Sequence, residues 1–252
     1  MSCKLKLLLA KQTRCTFTLE TMDDRDINKI RETIAKAKAH EQSTSLLANQ
    51  FGQNIERLHT AIELPDDNKV EALMNFVIHY IEHVPDFIEA ISNITHQAGI
   101  DNYSETFIAI AKDYFLKPPE AVSTNEHSGL LGLMDEAYLA HRLIEEINDR
   151  LIGQIGIPLA PMDMTRSNII IHHLIGEPFA NELDMAVHYS VESLMPKEKV
   201  FQSDNFLAYI NEHKKRGWSS ELERWPCLAN DLSITLRFED KGPQPTSGPF
   251  IH

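Results

Sequence analysis

A chain of 252 residues with 42% hydrophobic side chains is long enough to bury a substantial core, which excludes global disorder. With 37 acidic residues against 24 basic ones, the net charge of -13 repels the phosphate backbone of nucleic acids and anionic membrane surfaces. The cysteines Cys3, Cys15 and Cys227 form neither a disulfide framework nor a CxxC metal pair, in keeping with free thiols in a reducing compartment.

Residues 1–22 are rich in Lys, Thr and Leu and show no helical period, so the pattern leaves the structure of this N-terminal arm open. The apolar run Leu7-Leu8-Leu9-Ala10 is too short for the core of a signal peptide. Nor does any stretch of about 18 apolar residues occur, and a soluble, cytoplasmic protein is expected.

From residue 23 onward, apolar residues recur in alternating steps of three and four, the period of an amphipathic helix. Ile27, Ile30, Ile34 and Ala37 make the first stripe. Ser43-Thr44-Ser45 are placed to cap a second helix with the stripe Leu47, Phe51, Leu58 and Ile62, running to Pro65. A third carries Val70, Leu73, Val77, Tyr80 and Val84. Its register continues across Pro85 through Phe87, Ile91 and Ile94 to a stop at Gly99, so Pro85 either kinks one helix or begins another. Phe107, Ile110, Ala111 and Tyr114 mark a shorter helix closed by Pro118-Pro119.

The strongest pattern is Leu130, Met134, Ala137, His141, Ile144, Asn148, Leu151 and Ile155, stepping four, three, four, three throughout, as the seam of a bundle does. The run Asn168–Ile175 is apolar on all sides and β-branched, and reads equally as a buried strand or a buried helix. Phe179, Leu183, Val187, Val191 and Leu194, then Phe206, Tyr209 and Ile210, give two further stripes. Residues 233–238 read as a strand, and the Pro/Gly-rich residues 241–252 as a disordered tail. The expectation is an all-α, antiparallel multi-helix bundle with a short C-terminal strand, in one domain spanning 23–240.

Histidine is the compositional oddity, with 12 in the chain. Pairs four residues apart share a helix face, and His59/Glu63, His79/His83, His141/Glu145 and His173/Glu177 are so spaced. Imidazole with carboxylate suits Fe, Mn or Zn, and di-metal bundle enzymes place such ligands on facing helices. The candidate ligands are His141, Glu145, His173 and Glu177, with His59 and Glu63 from a further helix. The pattern departs from the di-metal scheme: Glu56-Arg-Leu-His59 is one Glu-x-x-His, a second is missing, and most pairs run His before Glu.

Direction matters as much as spacing. His79, His83, His96 and His188 fall opposite their apolar stripes and are expected in solvent. His141 lies in the seam itself. There it is either part of a hydrogen-bonded polar layer with Asn148 that fixes register, or a metal, haem or catalytic group. His172, beside His173 before the Gly176-Glu177-Pro178 break, is a second polar-layer or ligand candidate.

Three readings of function therefore stand. The first is a cytosolic binding, adaptor or regulatory module without chemistry of its own, because phosphate-loop, nucleophile-elbow and activated-thiol motifs are missing. It expects a protein partner or a second copy, with Trp218 and Trp225 as an apolar patch. The second is a metal-dependent bundle enzyme, and the third a haem or apolar-ligand pocket at His141 or His172.

Overall fold

The computed structural model describes residues 24–58, 62–97, 99–116, 129–156, 158, 164–194, 203–216 and 234–236. Within them are eight α-helices: α1 (Asp24–Thr44), α2 (Leu46–Asn54), α3 (Lys69–Gln97), α4 (Asp101–Leu116), α5 (Leu130–Ile155), α6 (Thr165–Ile175), α7 (Phe179–Leu194) and α8 (Asp204–Arg216). A 3-10 turn (Ile55–Arg57) follows α2. The all-α reading holds. The N-terminal arm, Trp218, Trp225 and the tail lie outside the described residues.

Helix α5 is the axis of the molecule, touching α1, α2, α3, α4, α6 and α7. Its seam residues Leu130, Met134, Ala137, His141, Ile144, Asn148 and Leu151 are all buried. So are Tyr138, Leu139, Ala140, Leu143 and Ile147 beside them, because neighbouring helices cover most of α5, and its charged residues Asp135 and Glu136 are buried as well. Gly156 ends it in the left-handed region, its amide returning to the Ile152 carbonyl at 2.9 Å.

Helix α3 packs against α1, α2, α4 and α5 and runs unbroken through Pro85. Pro85 has no N–H, so the helix gives up one backbone bond there. At its end, Gly99 takes a positive φ and its amide bonds the His96 carbonyl. The run 168–175, ambiguous in the sequence, lies within helix α6.

The second helix is shorter than its stripe predicts, since α2 stops at Asn54. Ser45 offers no side-chain cap, and the hydroxyls of Ser43 and Thr44 donate instead to the His40 carbonyl. The cap comes from α1: the buried Glu41 carboxylate accepts from the Leu47 amide at 3.0 Å and the Ala48 amide at 3.1 Å. Ile62 and Glu63 (β1) pair antiparallel with Leu236 and Thr235 (β2), two residues on each side. The rest of the expected 233–238 strand is outside the described residues, apart from buried Ile234.

Candidate functional site

The polar residues that the fold gathers lie between α3, α5, α6 and α7, and their pairings give the helix directions. On α5, residues 142, 146 and 150 meet residues 184, 188 and 192 of α7. Arg142 Nε donates to Asp184 Oδ1 at 2.9 Å, His188 Nδ1 lies 3.4 Å from Glu146, and Arg150 lies 4.0 Å from Glu192. Equal steps of four in the same sense mean that α5 and α7 run parallel. Helix α6 runs back between them, with Thr165 and Asn168 beside Glu145 and His172 beside Tyr138.

At the dry end of this cluster is His141, with 1% of its surface exposed. Its Nε2 is 2.9 Å from the Tyr80 carbonyl of α3, whose second lone pair is available beyond the helix ladder. Its ring is enclosed by Tyr80 at 4.2 Å, Phe87 at 4.8 Å and His83 at 5.6 Å between centroids. Burial, then the neighbouring His83, holds the His141 pKa well below its ordinary value. The Tyr80 hydroxyl donates to Asn168 Oδ1 at 2.6 Å, and burial raises its pKa well above the usual range.

From Asn168 the cluster continues outward. Asn168 Nδ2 donates to Glu145 Oε2 at 2.6 Å, and Thr165 Oγ1 to Glu145 Oε1 at 2.7 Å. Arg142 Nη1 donates to the same Glu145 Oε2 at 2.6 Å. Asp184 then collects Arg142, the Tyr138 hydroxyl at 2.8 Å and His172 Nε2 at 3.5 Å. His172 Nε2 also lies 3.1 Å from Asn181 Oδ1. Burial works against the Arg142 charge, and the bonds to Asp184 and Glu145 outweigh it, so the guanidinium is held above its ordinary pKa. Burial, then the Asp184 carboxylate, pushes the Tyr138 phenol up.

The sequence-derived candidates are divided by this arrangement. His141 and Glu145 share a helix but point to different partners, one to the α3 backbone and the other to α6. Asn148 is buried further along the same seam. His172 faces Asn181 and Asp184, whereas His173 faces the other way and lines a surface cleft. Glu177 is exposed in the turn after α6, Glu63 sits in β1, and His59 is outside the described residues. Among the described residues, no group of three or more His, Cys, Asp or Glu is arranged to hold a metal ion.

His79, His96 and His188 are exposed as expected, but His83 is not in open solvent. It is half-buried against His141 and Phe87. The reason is Phe76: it lies seven residues before His83, shares its side of α3, and is fully buried, so the apolar face is wider than the stripe alone suggests. Sequence reasoning missed Tyr80, Tyr138, Arg142, Thr165, Asn168 and Asp184. The four-residue steps 142–146–150 and 184–188–192 were the one available signal.

Compared with known proteins, the chain matches no family model, no curated protein and no solved structure. Among the described residues, no helix is long and apolar enough to cross a membrane.

Proposed function

We propose that this protein is a binding or adaptor module of the all-α class, with no chemistry of its own at the buried polar cluster, which serves to fix how α5, α6 and α7 assemble. One observation carries the reading. Arg142 is engaged on one side by Glu145 and on the other by Asp184, and both carboxylates accept further bonds from Asn168, Thr165 and Tyr138. A cluster in which one guanidinium bridges two carboxylates, and neutral donors fill further acceptor positions on both, has the form of a register device, which specifies one packing of helices against slipped alternatives. Its groups also do not line either of two surface clefts, one bounded by α2, α3 and α6 and the other by α1 and α3.

Thermal melting with added Fe(II), Mn(II) or Zn(II) tests the reading against the metal-enzyme alternative. A metal held by the native fold raises Tm in proportion to the logarithm of its concentration. The expected result is no rise with any of the three ions and no Soret band in the purified protein. A metal-dependent rise abolished by Glu145→Gln and by Asp184→Asn would overturn it.

A further inference from the structure

The chain carries 13 more acidic than basic groups, and the cations of its described surface are largely spoken for. Arg31 is bound by Asp86 and Glu89, Lys38 by Glu82, and Arg150 by Glu146. These first three pairs cross the groove between α1 and α3, so both cations that line it are already paired. Arg57 differs. It stands in the 3-10 turn after α2, its side chain is exposed, and among the described residues it enters no ion pair.

Arg57 borders the cleft between α2, α3 and α6, which has a volume of about 310 Å3. That is the small end of the range of ligand sites, which runs from about 300 to 1,000 Å3. Phe51, Ile55, Leu73 and Leu174 supply apolar walls, and His173 of α6 lines the same space. Phe51 and Leu73 belong to the buried core, so the floor is held in place by the packing of α2 and α3. An apolar floor under a cation matches a ligand with a short hydrocarbon tail and a negatively charged head.

We infer that this cleft binds a small amphiphilic anion, an aliphatic monocarboxylate, with its head at Arg57 and its tail along Phe51, Leu73 and Leu174. The inference rests on the binding-module reading and names its ligand class. His173, one of the residues singled out for its spacing, is then part of the cleft wall and not a metal ligand.

The test is calorimetric titration of the full chain with octanoate, with octanol (the tail alone) and with acetate (the head alone), followed in parallel by methyl NMR shifts of Leu73 and Leu174. Octanoate is expected to saturate one site and to bind at least about tenfold more tightly than either comparator, as a charge-assisted hydrogen bond supplies. Arg57→Gln should weaken octanoate about tenfold and leave octanol unchanged, and Arg57→Lys should retain most of the affinity. The inference is overturned if octanoate and octanol bind alike, if Arg57→Gln matches the parent, or if octanoate at millimolar concentration moves neither heat nor methyl shifts. The outcome is separable from the reading beneath it. No octanoate binding together with a metal-insensitive Tm removes the cleft ligand and leaves the module; octanoate binding with a metal-dependent Tm lost in Glu145→Gln does the reverse.

Discussion

Acidification should destabilise this protein through its stacked histidines, and the size of the effect follows from their burial. Burial draws the His83 pKa down to about 4 from 6.5, with Asp86 opposing. His141, enclosed by Tyr80, Phe87 and His83, is held well below its ordinary value. In the unfolded chain both rings regain a pKa near 6.5. Between pH 6.5 and about 4, the unfolded chain therefore binds protons that the folded chain refuses. Stability is fully present above this window and falls as pH drops through it. For His83 the gap is worth about 3 kcal/mol over the whole window, of which about 2 kcal/mol is lost between roughly pH 7 and pH 5. Urea denaturation followed by circular dichroism over that upper range avoids most carboxylate titration. His83→Phe keeps a ring against His141 and cannot be protonated, so its loss of stability over the same range should be smaller by about 2 kcal/mol. An identical pH slope in the parent and His83→Phe would refute the reasoning.

Two further substitutions probe how the helices are joined. Glu41→Ala strips the Leu47 and Ala48 amides of their acceptor and should cost about 2 kcal/mol in urea melts, with Glu41→Gln recovering part of it. Gly129→Ala meets a backbone at φ 77° and ψ -144° and a contact of 2.9 Å between its Cβ and His40 Cδ2. It should cost about 2 kcal/mol. Adding His40→Ala should leave most of that cost in place, because the strained φ remains when the contact is gone.

Much of the helical architecture was legible because periodicity reports burial. The α5 seam is read from its four-three stepping and the end of α3 from Gly99, which the structure places at a positive φ. What was not legible depends on partners distant in sequence. The cap of α2 is a Glu six residues before the first amide it serves, beyond the reach of a capping-box pattern. His83 was misplaced because its surroundings depend on Phe76 and on His141 of another helix. The partner of His141 is a backbone carbonyl, which no residue pattern can mark. Glu145 was noticed for its spacing from His141, yet its bonds go to Arg142, Thr165 and Asn168, and only the return of α6 along α5 brings the last two near.

The claim at the centre of this account is that Arg142, Glu145 and Asp184 form a closed cluster that holds α5, α6 and α7 in register. A double-mutant cycle with Arg142→Met and Asp184→Leu, read by urea unfolding, measures it most directly. Arg142→Met leaves two partly buried carboxylates without their guanidinium and Asp184→Leu leaves Arg142 with Glu145 alone, so each should cost about 2 to 4 kcal/mol, and the double should cost less than the sum by about 1 to 3 kcal/mol. Single variants as stable as the parent, with a coupling energy near zero, would contradict the claim and return the cluster to the list of candidate working sites.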